Sequence, residues 1–323
     1  GVELDPETEV IATIGSKEGF SHLCLALLGS GDTALVPTPS FPIHTHAVVI
    51  AGASYLGIPV GDDEEFLRQV DATCKTLRPG PKVLFLNYPH NPTAHTVEHD
   101  FFVEVVKLAR KHHLIVVHDF AYGKVCFDGY RSPSFLAVPG AKDIGVEFTT
   151  MSKSYNMAGW RIGYCTGNAK IVQALGAIKG YYDYGIFQAI QIASIIALRE
   201  CDDFAEAQAR KYQERRDVLL AGLERVGWTG IEKPRAGMFV WAALPERFLS
   251  MGSMGFAQKL MDDAEVAVAP GIGFGPDGEG HVRIALIENR QRLQQAVRQI
   301  GRAFRSWDAA GPAGEKQPAS AAS

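Results

Sequence analysis

The sequence predicts an α/β protein: a seven-stranded, mostly parallel sheet with helices on both faces, followed by a small α+β domain. Apolar runs of strand length alternate with amphipathic helical segments through the first 200 of the 323 residues, which is typical of βα units. Beyond Cys201 a long charged segment with helical spacing interrupts this alternation. With 46% hydrophobic and 21% charged residues, the chain is long enough for one large and one smaller domain.

Seven segments of the first part have the length and apolar content of strands. They are residues 10–15, 33–39, 53–60, 83–89, 114–122, 144–152 and 161–167. Between them, apolar positions recur at helical spacing in segments such as 17–28 and 100–112. A parallel sheet needs such crossover helices, so we predict a large domain over residues 1–205.

The second part begins with a predicted helix over residues 202–226 that ends at Gly227, a favourable C-terminal residue for a helix. The predicted small domain covers residues 206–308. Its elements are expected at 238–244 (strand), 256–263 (helix), 266–271 and 282–287 (strands) and 290–304 (helix). Residues 309–323 have low complexity and few apolar side chains, so we expect a disordered tail there.

Composition argues against several classes of protein. The formal net charge of −4 gives no reason to bind nucleic acid, and no apolar segment is long enough to span a membrane or to act as a signal peptide. The five cysteines are scattered, without a CxxC pair, and the histidines lack metal-ligand spacing. We therefore expect a cytoplasmic protein without disulfides or metal. Because the chain starts at Gly1, close to a strand, we also expect that an N-terminal portion is missing.

The segment 149–163, TTMSKSYNMAGWRIG, carries the strongest chemical signal. Lys153 follows a predicted strand, at the edge where α/β sheets bind ligands. Ser152 and Arg161 lie within ten residues of it. A hydroxyl, an amine and a guanidinium together suit a phosphorylated aldehyde, held covalently and by charge. We interpret Lys153 as a Schiff-base lysine.

Four other residues lie at predicted strand ends. Ser16 and Lys17 open a helix after the first strand, where free amides suit a phosphate, although a plain helix cap explains them as well. Asn91 lies in a turn and has turn formation as its alternative. Asp119 ends a very apolar strand, so its carboxylate is expected to face a cation or a ring nitrogen.

Four motifs together carry a resemblance to a known family. They are S-K-S-Y-N-M-A-G-W-R-I-G, N-P-T, H-D-x-A-Y and V-R-I-A-L. Their order and spacing resemble those of fold-type-I, class I aminotransferases, which use pyridoxal 5′-phosphate, over residues 8–305. The nearest likeness is to bacterial glutamate–pyruvate (alanine) aminotransferases, followed by LL-diaminopimelate aminotransferases.

The resemblance implies roles around the cofactor ring. Lys153 would form the Schiff base and move the proton at the substrate α-carbon. Asp119 would pair with the pyridine nitrogen and keep it protonated, which makes the ring an electron sink. Tyr122 and Asn91 would hydrogen-bond the phenolic oxygen, and Phe41 would stack on the ring.

The resemblance also implies how the anionic groups are held. Ser16, Lys17, Ser152 and Arg161 would bind the phosphate, and Arg283 would grip the substrate α-carboxylate, helped by Asn91. This geometry would favour loss of the α-hydrogen and hence transamination between alanine and 2-oxoglutarate. The family likeness further implies a homodimer.

Several alternatives stay open. Within the enzymes, the alternative amino donors are LL-diaminopimelate, aspartate or another amino acid. The alternative of another class is a non-catalytic domain that senses pyridoxal phosphate in a transcription regulator. Lys124 is a rival Schiff-base lysine without serine and arginine neighbours, and Lys179 is one candidate for reading a substrate side chain. Residues 271–275, GIGFG, superficially resemble a dinucleotide-binding loop, but such a loop leads into a helix and this segment runs into Pro276. We therefore expect a mobile loop near the mouth of the site.

Overall fold

The computed structural model describes residues 1–310 of the chain. The predicted start of the disordered tail at residue 309 is wrong for the first two residues. Ala309 and Ala310 belong to the final helix, which ends at Ala310. The rest of the predicted tail, residues 311–323, lies outside the described residues. Within residues 1–310, no helix is long and apolar enough to cross a membrane.

The first part of the chain forms one seven-stranded sheet, which confirms the predicted fold class. The strand order is β1-β7-β6-β5-β4-β2-β3. Strand β7 runs antiparallel to both of its neighbours, and the remaining pairs are parallel. The strands are β1 (Val10–Thr13), β2 (Thr33–Thr38), β3 (Ser54–Pro59), β4 (Val83–Asn87), β5 (Ile115–Asp119), β6 (Gly145–Thr150) and β7 (Gly163–Gly167).

Helices cover both faces of this sheet. Helices α1, α2 and α6 contribute to one core, and α3 and α4 contribute to the other. Residues 1–310 contain ten α-helices: α1 (Ser16–Leu27), α2 (Pro42–Ile50), α3 (Asp63–Thr76), α4 (His99–His112), α5 (Met151–Ser154), α6 (Ala169–Tyr182), α7 (Gln188–Glu200), α8 (Asp202–Arg225), α9 (Gly252–Ala264) and α10 (Arg290–Ala310).

The period-two alternation of the strands explains why both faces are apolar. Ala34 and Val36 of β2 pack in the core under α1, whereas Leu35 between them packs in the core under α3 and α4. Successive side chains of a strand point to opposite faces, so an almost continuous apolar run is needed when both faces are buried.

A second, three-stranded antiparallel sheet forms the C-terminal part. Its order is β8 (Phe239–Ala243), β10 (His281–Ala285) and β9 (Ala269–Pro270), and β10 lies in the centre. The strand expected over 266–271 is only these two residues long. Trp228, Phe256 and Phe304 fill a core that helices α8, α9 and α10 share with this sheet.

The α8 helix ends close to where the sequence predicts. The N–H of Gly227 donates to the carbonyl of Glu224, and the N–H of Trp228 donates to Leu223. Gly227 has φ +83°, a conformation that suits glycine. The domain boundary predicted near residue 205 falls in the first turns of α8 and stays a prediction.

Arg216 of α8 ties this helix to the loop after β5. Its side chain is fully buried, and it donates to both carboxylate oxygens of Asp128 at 2.7 and 3.1 Å and to the carbonyl of Pro234 at 2.7 Å. The guanidinium also lies 4.9 Å from the ring centre of Phe127. Arg216 therefore joins the loop that follows β5 to the C-terminal part.

We predict that Arg216→Met lowers the free energy of unfolding by about 2–3 kcal/mol, because a carboxylate and a carbonyl lose charge-assisted hydrogen bonds. Urea denaturation followed by circular dichroism measures this change. Arg210→Met on the same helix is the control, since Arg210 is exposed and its one ion pair, with Glu206, is long at 3.6 Å. Equal stabilities of the two variants would contradict this role for Arg216.

Candidate active site

A cavity of about 310 Å³ lies at the carboxyl edge of the seven-stranded sheet, where it meets the second sheet. All ten residues that the sequence singled out line it. The lining residues are Ser16, Lys17, Phe41, Asn87, Asn91, Asp119, Ala121, Tyr122, Thr150, Ser152, Lys153, Ala158, Arg161, Phe239 and Arg283. Because β4, β5 and β6 are parallel, their carboxyl ends bring side chains from distant parts of the sequence to one place.

The amino end of α1 forms an anion-binding corner of the cavity. Ser16 and Lys17 are the first two residues of the helix, whose free N–H groups carry a partial positive charge. The Arg161 side chain lies against this corner. A Cβ atom added at Gly15 would lie only 2.6 Å from the Arg161 Nη2 atom. Gly15 also has φ +73°, so only glycine suits this position.

Ser152 and Thr150 hold the start of the short helix that carries Lys153. The Thr150 hydroxyl accepts from the N–H of Ser152 at 3.2 Å and lies 2.9 Å from the Ser152 Oγ atom. Thr150 ends β6 and acts as the N-cap of α5. Lys153 therefore projects from a capped helical turn directly after a central strand.

Asp119 is held from both sides at the end of β5. Its Oδ1 atom accepts from the N–H of Ala121 at 3.2 Å, and its Oδ2 atom lies 3.0 Å from the Nε2 atom of buried His44. Asn87 donates to the backbone carbonyl of Asp119 at 2.8 Å and accepts from the N–H of Asn91 at 2.9 Å. These contacts fix the carboxylate at the rear of the cavity.

Lys153 lies among cations. Burial lowers the pKa of the Lys153 amine, and the positive charges of Arg161 and Arg283 lower it further, whereas Asp119 raises it. Its Nζ atom is 6.0 Å from the ring centre of Tyr122. Burial, with a smaller contribution from Asp119, raises the pKa of the Tyr122 hydroxyl, which therefore stays protonated at neutral pH. A neutral amine is the form that acts as a nucleophile and as a base.

Arg283 reaches the cavity from the central strand of the second sheet. Its Nη1 atom donates to Oδ1 of Asn91 at 2.6 Å, and its guanidinium lies 4.1 Å from the ring centre of Phe239 and 4.5 Å from that of Phe274. Burial lowers the pKa of Arg283. Its Nε atom is buried without a hydrogen-bond partner among the described residues. The Arg283 guanidinium is thus positioned to donate hydrogen bonds to an anionic group.

The sequence did not identify several residues at this site. They are His44, Asn87, Thr150 and Phe239. His44 lies three residues after Phe41, on the same side of α2, and Asn87 ends a strand, so the rule that selects strand-end polar residues applied to Asn87 as well. Phe239 gave no signal, since an apolar residue in a strand is ordinarily core.

The structure also shows where Lys124, Lys179 and the segment 271–275 lie relative to the cavity. The Lys124 amine binds the Tyr155 hydroxyl at 2.7 Å and Asp202 at 2.6 Å, away from the cavity. Lys179 is buried and also lies outside the lining of this cavity. Residues 271–275 do not line the cavity, and Gly271–Phe274 form a 3₁₀ helix in place of the expected loop. The carbonyl of Phe274 accepts from the N–H of Ser40 at 2.7 Å, and the mobility of this segment stays a prediction.

Comparison with known proteins decides the family. A family model described as aminotransferase class I and II matches residues 1–300. The chain belongs to the class I and II aminotransferases. This confirms the resemblance and the enzyme class expected from the sequence: the protein is an aminotransferase that acts on amino acids and 2-oxo acids.

The chain is similar to several individual aminotransferases. It is 51% identical to the glutamate–pyruvate aminotransferase AlaC of Escherichia coli K12, over 94% of this chain and 74% of that protein. It is 42% identical to the LL-diaminopimelate aminotransferase of Moorella thermoacetica, over 94% and 76%. The substrate-bound structure of BacF from Bacillus subtilis superposes with a TM-score of 0.87 at 35% identity, over 94% of this chain and 76% of that one.

Aminotransferases of this class use pyridoxal 5′-phosphate, and the cavity fits that cofactor. Because Gly15 lacks a Cβ atom, the Arg161 guanidinium lies against the start of α1, so a guanidinium and free helix N–H groups converge on one corner that suits a phosphate. The unpartnered Nε atom of Arg283 offers a donor to a second anionic group. An amine, a carboxylate and an aromatic ring complete the set: Lys153, Asp119 and Phe41.

We predict that Arg283→Gln raises the pKa of the Lys153 amine, because one of the two positive charges that lower it is removed. In the protein freed of cofactor, acetic anhydride labels neutral amines, and mass spectrometry of the Lys153 peptide against pH gives the midpoint. The midpoint is expected at higher pH in the variant. Exposed Lys170 is the internal reference, and an unchanged Lys153 midpoint would show that Arg283 does not act on the amine.

Proposed function

We propose that the protein transfers the amino group between alanine and 2-oxoglutarate. The observation that carries the amino-transfer part of the proposal is the meeting of Lys153 and Arg283 in one cavity, an amine and a carboxylate-binding guanidinium drawn from two sheets. Among its relatives, the similarity to a glutamate–pyruvate aminotransferase at 51% identity supports this choice of substrates.

The cofactor would be held at three places. Ser16, Lys17, Ser152 and Arg161 bind its phosphate through helix N–H groups, a hydroxyl and a guanidinium. Asp119, oriented by His44, faces the ring nitrogen, and Phe41 lies against the ring face. Tyr122 and Asn91 donate to the phenolic oxygen. When bound, the cofactor supplies an electron-withdrawing ring that stabilises negative charge developing at the substrate α-carbon.

The chain's own residues then control the proton. Arg283, with Asn91, holds the α-carboxylate in a two-bond fork, which fixes how the substrate α-carbon is presented. Lys153 Nζ would take the proton from that carbon and pass it to the C4′ atom of the cofactor, and the second half-reaction would reverse this transfer with the 2-oxo acid. Because the pKa of Lys153 is lowered, more of the amine is in the neutral form that can accept a proton.

LL-diaminopimelate is the second candidate substrate. Relatives that bear this activity in their names are 41–43% identical over 93% or more of the chain. Both functions use the same amine, carboxylate and guanidinium, so they differ only in what meets the side chain of the amino acid.

We predict that the holoenzyme uses alanine with 2-oxoglutarate at a kcat/KM on the order of 100-fold above that for LL-diaminopimelate, a difference of about 3 kcal/mol in transition-state binding. A panel of amino donors with 2-oxoglutarate and with pyruvate measures this ratio. Lys153→Ala, expected to lose turnover with every donor, is the control for background activity. A donor order with LL-diaminopimelate first would replace the alanine assignment and leave the aminotransferase activity intact.

We also propose that the protein is a cytoplasmic homodimer with two domains that meet near residue 205. Large apolar side chains are exposed along the segment 181–196: Tyr181 (85% exposed), Tyr184 (92%) and Phe187 (74%), with Tyr182, Ile192, Ile195 and Ile196. A soluble monomer rarely exposes so many in one stretch, whereas a subunit interface buries them.

We predict that Tyr184→Glu together with Phe187→Glu shifts the protein from dimer to monomer, because two carboxylates would have to be desolvated in the interface. Sedimentation velocity measures the mass of the particle. Met261→Glu, on α9, is the control, since Met261 is also exposed but lies outside the segment 181–196. A monomeric wild type, or a variant that stays dimeric, would contradict the proposed interface.

A further inference from the structure

A buried charge cluster lies next to α1, outside the catalytic cavity. The Lys179 side chain of α6 is 6% exposed. Its Nζ atom lies 3.0 and 3.1 Å from the two carboxylate oxygens of Glu18 on α1 and 2.5 Å from Oδ2 of Asp183. Two carboxylates thus share one ammonium in a site that is mostly shielded from water.

His22 is the other titratable group in this cluster. Its Nδ1 atom lies 2.6 Å from Glu18, without hydrogen-bond alignment, and 3.7 Å from Asp183. Glu18, His22 and Asp183 are close enough to hold a metal ion. The Lys179 ammonium, however, already bridges both carboxylates, so the cluster is complete as an ion-pair network.

Glu18 connects the cluster to the amino end of α1. The N–H of Ile14 donates to its Oε2 atom at 2.6 Å. Ile14 directly precedes Gly15, Ser16 and Lys17, the turn that forms the anion-binding corner of the cavity. The carboxylate thus anchors this turn from behind, much as an acidic residue at the third helical position closes a capping box.

An anchor of negative charge so near an anion site carries an electrostatic cost. A carboxylate within one helical turn of a bound phosphate repels it, and the repulsion is stronger where water is excluded. The ammonium of Lys179 offsets this charge while leaving the hydrogen bond to Ile14 in place. In its absence, Glu18 and Asp183 would repel each other, and the Glu18 carboxylate would be driven away from the N–H of Ile14.

We propose that Lys179 and Glu18 are positioning residues for the phosphate of the cofactor: together they hold the 14–17 turn in its anion-binding conformation, with the charge of the Glu18 carboxylate offset by the Lys179 ammonium. The inference rests on the proposed role of this turn in binding the phosphate. It gives buried Lys179 a function that differs from reading a substrate side chain.

The experiment compares two ligands of the protein freed of cofactor: pyridoxal 5′-phosphate and pyridoxal, which lacks the phosphate. Fluorescence titration gives both dissociation constants. We expect Lys179→Met to weaken binding of the phosphorylated ligand roughly tenfold and to change that of pyridoxal less than about twofold, since only the anion-binding turn is altered. Lys170→Met, an exposed lysine on the same helix, is the matched control.

A second variant restores the charge balance. In Glu18→Gln with Lys179→Met, the amide oxygen still accepts from Ile14 and no uncompensated carboxylate remains at position 18, so we expect the affinity for the phosphorylated ligand to recover to within about threefold of wild type. Melting temperatures show that each variant is folded. Lys179→Gln, which also removes the charge, serves if the methionine variant does not fold.

The outcomes separate the two proposals. Equal losses for both ligands in Lys179→Met, or no recovery in the double variant, would overturn the positioning role while leaving the phosphate site intact. If the wild type bound pyridoxal as tightly as its phosphate, the phosphate-binding role of residues 15–17 would itself be wrong.

Discussion

The site depends on a charge imbalance that the fold holds in place. Among the described residues, four cations converge on one cavity, Lys17, Lys153, Arg161 and Arg283, against a single carboxylate, Asp119. Burial lowers the pKa of Lys153, and the charges of Arg161 and Arg283, held this close to the amine, lower it further. The cavity is therefore complementary to ligands with two anionic groups, and the packing of both sheets supports the cost of keeping it so.

Most of the cavity was predictable because one rule of sheet geometry acts on local sequence. Asp119 is the last residue of β5, and Lys153 lies three residues after the end of β6. Since β5 and β6 are parallel neighbours, placing the strands also placed these residues together. Ser16 followed from the same logic at a helix start. Arg283 was different: it lies in the second sheet, and nothing in its local sequence indicates which cavity it enters. Only the resemblance to a family linked it to the others.

What the sequence could not give were contacts between distant segments that look ordinary locally. His44 reads as a polar residue within a helix, yet it is buried against Asp119, 75 positions away. Phe239 and Phe274 look like core residues in the sequence, yet both rings lie against the Arg283 guanidinium. From the sequence, Lys179 was a candidate for reading a substrate side chain, but it is buried, and its burial depends on how α6 packs against α1. Such roles are set by tertiary packing and leave no periodic pattern.

The order of the strands along the chain has a consequence for synthesis. All seven strands of the large sheet lie before residue 168, whereas Arg283 follows Lys153 by 130 positions. At ribosomal rates of about 5–20 residues per second, that interval is roughly 6–26 seconds. The ribosome thus adds Lys153 and the anion-binding turn to the nascent chain well before it adds Arg283. The cofactor-binding part of the cavity can therefore form before the substrate-binding part.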